Sequence, residues 1–152
     1  MGGGVGDVPW TGRSIMTATA RSSVVGAPAY TQVFRREAES ADRARQMVWT
    51  ALDAWHLRQI ADEALLVVSE LIANSVQHAR GSVVRITVTR ISEYRVRLAC
   101  IDKSRKKPVL AKVTLADERG RGMAIIAAVS EQWGANWLLK GKRVWAELEV
   151  DQ

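Results

Sequence analysis

Two stretches of the chain repeat their apolar residues at helical spacing, and the stretches around them alternate as strands do. From Ser40, a residue suited to cap a helix, Val48, Leu52 and Trp55 recur along one helical face. A second helical pattern runs over 57–78, with Gly81 just past its expected end. The period then falls to two. Val84, Ile86, Val88 and Arg90 share one face of a strand over 83–91, and Val96, Leu98 and Cys100 share a face with Asp102 in a strand over 94–101. Ser92-Glu93 between them is short enough for a hairpin turn.

Outside this centre the pattern is sparser. Residues 1–28, rich in Gly, Ser, Thr and Ala, read as a disordered leader, and 30–36 as a first strand. The segment 103–119 is polar, basic and interrupted by Pro108, too long for a tight turn, and long loops of this kind are often functional. A short helix is expected to open near Gly120-Arg121-Gly122 and run through Met123, Ile126 and Val129. Strands over 133–139 and 143–150, joined by a turn at Lys140-Gly141-Lys142, close the chain. Strand, two helices, two strands, loop, helix, two strands: that order predicts an α+β fold over 29–152. Its form is a two-layer sandwich, a mostly antiparallel sheet with helices on one face.

Composition narrows the setting. At 152 residues and 47% hydrophobic, the chain can bury a core without staples. One cysteine, Cys100, allows no internal disulfide, and with no long apolar run and no signal-peptide pattern a cytoplasmic location is expected. The net charge of +6, from 22 Lys+Arg against 16 Asp+Glu, suits nucleotide phosphates, nucleic acid, anionic lipid or an acidic partner without choosing among them. No aromatics interleave with Lys103, Arg105, Lys106 and Lys107, which weighs against a single-strand-binding surface. Two histidines and no cysteine pair weigh against zinc.

On a wheel of the second helix, Leu65, Val68, Ile72 and Val76 form a core stripe, and Glu70, Asn74 and His78 form a line almost opposite it. Leu66, Val67 and Leu71 project beside that line, making it a polar seam in an apolar surface. A carboxylate and an amide in such surroundings need partners, because burying either unpaired costs on the order of 1–3 kcal/mol. A metal with phosphates would supply them; local capping or pairing is the plainer alternative. For His78 the plainer role, bonding the last carbonyls of its helix, is favoured. The Gly120-Arg121-Gly122 turn ahead of an apolar helical run could admit an anion to a helix N-terminus, although G-x-G alone is weak. It fits neither the P-loop nor the dinucleotide-binding pattern.

Glu70-Leu71-Ile72-Ala73-Asn74-Ser75-Val76-Gln77-His78-Ala79 resembles the N-box of the histidine-kinase-like (Bergerat-fold) ATPases. Asp102 at a strand end, Gly120-Arg121-Gly122-Met123, and Gly141-Lys142-Arg143-Val144-Trp145 follow in the same order as in that superfamily. Within it, the chain is most similar to the small anti-sigma-factor serine/threonine kinases and their actinobacterial relatives, over about residues 30–150. The resemblance implies ATP and Mg²⁺ as cofactors. Asn74 would coordinate the Mg²⁺, Glu70 would be the general base, and Asp102 would accept a hydrogen bond from the adenine amino group. Gly120 and Gly122 would let the backbone approach the phosphates, with Arg121 and Lys142 counted among the nucleotide-binding residues and 103–119 as a lid. Two positions depart from the family pattern: Ser104 stands where a glycine is frequent and Arg143 where a threonine follows Gly-Lys. Both are expected near the adenine.

The leading functional expectation is a regulatory kinase that phosphorylates Ser or Thr on an anti-anti-sigma protein or holds a sigma factor inactive, without membrane or direct nucleic-acid contact, and able to form a homodimer. A catalytically weak adaptor using the same fold is the alternative, motivated by Ser104, Arg143 and the basic lid. A nucleic-acid module, resting on charge alone, ranks last.

Overall fold

A computed structural model describes residues 19–22, 27–103 and 121–151. The alternating segments pair into one antiparallel sheet. Its strands are β1 (Thr19–Ser22), β2 (Pro28–Arg35), β3 (Arg80–Ser92), β4 (Arg95–Lys103), β5 (Gln132–Leu138) and β6 (Gly141–Glu149). The six strands lie in the order β1-β2-β3-β4-β6-β5. Helices α1 (Ser40–Ala54), α2 (Ala61–His78) and α3 (Arg121–Val129) cover one face, so the α+β two-layer sandwich is the observed architecture.

The period of two decides which side chains meet the helices. Val84, Ile86 and Val88 of β3 lie opposite Asp102, Cys100 and Leu98 of β4. Cys100 and Leu98 lie opposite Val144 and Ala146 of β6. All of these except Asp102 join the core beneath the helices with Val48 and Leu52 of α1, Val68 and Ile72 of α2, and Met123 and Ile126 of α3. Arg45 Nη1 donates to Ser69 Oγ at 2.9 Å, tying α1 to α2.

Several local expectations shift. Ser40 does not cap α1: the N-cap is Glu39, and Ser40 Oγ instead donates to Arg35 O at 2.7 Å, fastening the helix start to the end of β2. A 3-10 turn, Arg58–Ile60, stands where the second helix was expected to begin. Gly81 does not terminate α2, whose C-cap is Ala79 in an extended conformation. It lies inside β3 at φ 91, where the pairing jumps from Arg80↔Lys103 to Val84↔Asp102, and a positive φ at such an irregularity suits glycine. The β3–β4 turn is Glu93-Tyr94, one residue beyond the expected pair, because Ser92 pairs with Arg95. The last turn is likewise Leu139-Lys140, which leaves Gly141 and Lys142 in β6. Thr19–Ser22, within the segment read as a leader, runs antiparallel to β2 as an edge strand. No helix among the described residues is long and apolar enough to cross a membrane.

Candidate functional site

The buried residues of α2 are Ala61, Ala64, Val67, Val68, Leu71, Ile72 and Ser75. At about 100° per residue, that set is centred about 70° round the helix from the expected stripe. Leu65 and Val76 are only partly buried. The cause is tertiary: α1 and α3 flank α2 while the sheet lies beneath it, so the buried arc is wide and displaced toward the polar line. Glu70, Asn74 and His78 are therefore half-buried on the flank of the core, with Val67 and Leu71 fully buried beside them and Leu66 exposed. The seam is real, but it borders the core where the wheel had set it almost opposite.

That displacement turns Ser75, the residue after Asn74, directly inward, to 1% exposure. There it meets the end of β4. Asp102 is 2% exposed and lies on the helix-covered face, one alternation beyond Cys100. Burial pushes the Asp102 carboxyl up to about 6; Lys142, the Ser75 hydroxyl and Arg36 oppose the rise without cancelling it. The Ser75 hydroxyl stands close enough to favour the carboxylate yet completes no hydrogen bond. Ser75 Oγ and Asp102 Oδ1 are both buried without a hydrogen-bond partner. An orphan buried acceptor costs on the order of 1–3 kcal/mol, so two facing one spot mark a place for a ligand's polar edge. Burial, and then Asp102, likewise push the Cys100 thiol up, so it is an inert neutral side chain here.

Two residues outside the expected set hold this corner. Arg36, just after β2, donates from Nε to Gly81 O at 2.7 Å and from Nη1 to Val76 O at 2.8 Å, clasping the last turn of α2 against β3. Its charge also acts on Asp102. Gly141 lets β6 approach: a Cβ there would lie 2.1 Å from Asp102 O. Gly141 is legible beforehand as part of the last glycine motif, and Ser75 as the residue after Asn74. Nothing in the local pattern marks Arg36.

Lys142 pairs across the strands with Asp102, so both side chains are on the helix-covered face. Arg143 pairs with Ile101 and points to the opposite face. Burial and the nearby Arg97 lower the Arg143 pKa, with Glu147 opposing them, and those neighbours belong to the far side of the sheet. Arg143 is therefore not beside the expected adenine position. On that far face, Glu147 accepts from Arg95 Nε at 2.7 Å and Arg97 Nε at 2.8 Å, and Arg97 lies over the Trp145 ring.

The structure thus gathers Asp102, Lys142 and Ser75 at one corner. Asn74 adjoins Ser75 in the chain, and Glu70 sits one helical turn, about 6 Å, back along α2. Helix α3 packs against α2 with Met123 and Ile126 buried, and Arg121-Gly122 form its first turn, as expected. Gly120, Ser104 and the lid segment 104–119 lie outside the described residues. Among the described residues no three of His, Cys, Asp and Glu converge, so a metal here would depend on oxygen donors such as the Asn74 amide together with ligand oxygens.

The sequence model of one family, described as the histidine kinase-like ATPase domain, matches residues 27–145. That span takes in β2 to β5, residues 141–145 of β6 and all three helices. No curated protein matches the chain.

Proposed function

The chain belongs to the histidine kinase-like ATPase family, and on that premise we propose that it is a regulatory protein kinase of the anti-sigma-factor type. It transfers the γ-phosphoryl group of ATP to a Ser or Thr of a protein partner, an anti-anti-sigma protein, and can hold a sigma factor. ATP binding follows from the family; Mg²⁺, the acceptor and the partner belong to the proposal.

The observation that carries it is the pair of orphaned polar atoms, Asp102 Oδ1 on β4 and Ser75 Oγ on α2, the latter on the residue after Asn74 in the helix that also presents Glu70. Asp102 offers a buried acceptor to an amino group of the base. Asn74 offers a hard amide oxygen suited to Mg²⁺. Bound Mg²⁺-ATP supplies the transferable phosphoryl group and a metal that offsets its charge. The protein's part is positional. Glu70, half-buried one turn from Asn74, would accept the proton of the attacking hydroxyl, and the first turn of α3 would offer its free backbone N–H groups to the phosphates. Arg143, which had suggested a weakened base site, points away from it and gives the adaptor reading no support.

The test separates binding from chemistry. Glu70→Gln should leave the Kd for Mg-ATP within about threefold while lowering phosphoryl transfer or ATP turnover by about 10²-fold or more, the usual reach of a general base. Asn74→Ala should weaken Mg-ATP binding. Unchanged turnover in the Gln variant removes Glu70 as base, and no ATP binding at millimolar concentration by the wild type leaves the adaptor reading.

A further inference from the structure

Lys142 lies directly across β4–β6 from a buried carboxylate and does not pair with it. Register puts the two on one face of adjacent strands, where Cβ atoms stand about 5 Å apart. A lysine stem reaches that far with ease. Yet among the described residues no ion pair joins them, and Asp102 Oδ1 keeps no hydrogen-bond partner. The ammonium acts on Asp102 only through space.

The corner therefore presents three polar groups about one carboxylate: the Asp102 carboxylate on β4, the Lys142 ammonium across the strands on β6, and the Ser75 hydroxyl on α2. Lysine can only donate, an ionised carboxylate can only accept, and a hydroxyl can do either. Adenine offers one amino donor beside a ring-nitrogen acceptor. Guanine offers a carbonyl acceptor, O6, followed by two donors, N1–H and the N2 amino group. A site whose only fixed group is an acceptor for an amino proton rejects guanine, because O6 would face the carboxylate. This corner adds to that acceptor a donor on the neighbouring strand and a hydroxyl able to accept on the helix above.

We propose that the base end of this site takes guanine as well as adenine, with Lys142 donating to O6, Asp102 accepting from N1–H, and Ser75 accepting from the N2 amino group. The purine triphosphate class, and not adenine alone, is then the nucleotide this chain recognises. Lys142 is the specificity-determining residue. The inference rests on the nucleotide reading of the site given above.

Calorimetric titration of the full chain with Mg-ATP and with Mg-GTP tests it without reference to catalysis. The wild type should bind GTP within about tenfold of ATP. Lys142→Met, which keeps the stem and deletes the donor, should weaken GTP by at least about tenfold more than it weakens ATP, the asymmetry expected when a polar atom of one ligand alone loses its partner. Lys142→Arg, which restores a donor, should recover GTP binding and guards against a general loss of folding in the Met variant. Preference for ATP by more than tenfold in the wild type overturns the proposal and leaves the kinase reading standing. An equal loss of both nucleotides in Lys142→Met also overturns it, since Lys142 would then act on the phosphates. Binding of neither nucleotide overturns both readings together.

Discussion

Asp102→Asn should remove a loss of folding stability that the wild type shows as the pH rises from about 4 to 7. In the native protein burial lifts the Asp102 pKa to about 6, against an ordinary value of 3.8. The folded state therefore holds this proton more tightly than the unfolded chain does, and protonation favours folding. The stabilisation is fully present below about pH 3.8 and is lost as the pH rises through about 6. The two values differ by about two pH units, each worth about 1.4 kcal/mol, so the ionised carboxylate costs the ligand-free protein about 3 kcal/mol at pH 8. Asparagine is isosteric and does not titrate.

Urea unfolding of wild type and variant at half-unit steps from pH 4.5 to 8 measures this directly. Across that range the variant should gain about 2 kcal/mol on the wild type as pH rises, because part of the full difference of about 3 kcal/mol is already lost below pH 4.5. Most of the gain should fall between pH 5 and 6.5. A bound purine has the opposite preference, because the base needs an acceptor, so ATP affinity of the wild type should decline below pH 6. Parallel stability curves for the two proteins would refute the argument. So would a wild type that gains stability relative to the variant between pH 5 and 7, since Asp102 would then be paired and its pKa depressed.

On the far face of the sheet, Glu147 is 5% exposed and held by Arg95 and Arg97, whose hydrogen bonds overcome its burial and keep its carboxyl below the usual range. Glu147→Gln should cost about 2–3 kcal/mol at pH 7, read by urea unfolding, with a difference that shrinks as the pH falls through the carboxylate range, opposite in sign to Asp102. Gly141→Ala drives a Cβ to within 2.1 Å of Asp102 O, so it should lower the melting temperature by the equivalent of about 1–3 kcal/mol and weaken ATP binding as β6 withdraws. Ile126→Ala empties a fully buried position of α3 and should cost about 2–5 kcal/mol in chemical denaturation while raising the Kd for ATP, because α3 carries Arg121-Gly122 against α2.

The fold was legible because its strands have one buried face. Alternation in 83–91 and 94–101 fixes which residues point inward once they pair, and the order of elements then leaves few antiparallel arrangements. Less was legible where packing overrules local pattern. Thr19–Ser22 is four residues with no apolar alternation, so only its pairing with β2 makes it a strand. Gly81 carries the signature of a helix stop, yet it serves an irregularity in β3 that exists only because β4 lies alongside. The wheel of α2 erred for the same reason. A wheel ranks faces by hydrophobicity, whereas burial depends on how many neighbours surround the helix, and here α1, α3 and the sheet bury an arc that includes Ser75 and reaches Val67.

The base end of the site shows how far register alone can alter a functional argument. Read as a string, Lys142 and Arg143 are equal candidates to stand by the adenine, and the departure at 143 argues for a damaged pocket. Pairing with Asp102 settles the matter geometrically: Lys142 lies opposite it, so Arg143 must point to the other face, with Ile101 and near Arg97 and Glu147. A slip of one residue would exchange the two side chains and invert the conclusion. The register is set by the buried face that Leu98, Cys100, Val144 and Ala146 share, and Gly141 fits it, since a side chain there would collide with the Asp102 carbonyl. The glycine that looks like a turn signal in the sequence thus lies inside β6, where its missing side chain lets the strand close on Asp102 with Lys142 facing the carboxylate and Arg143 turned away.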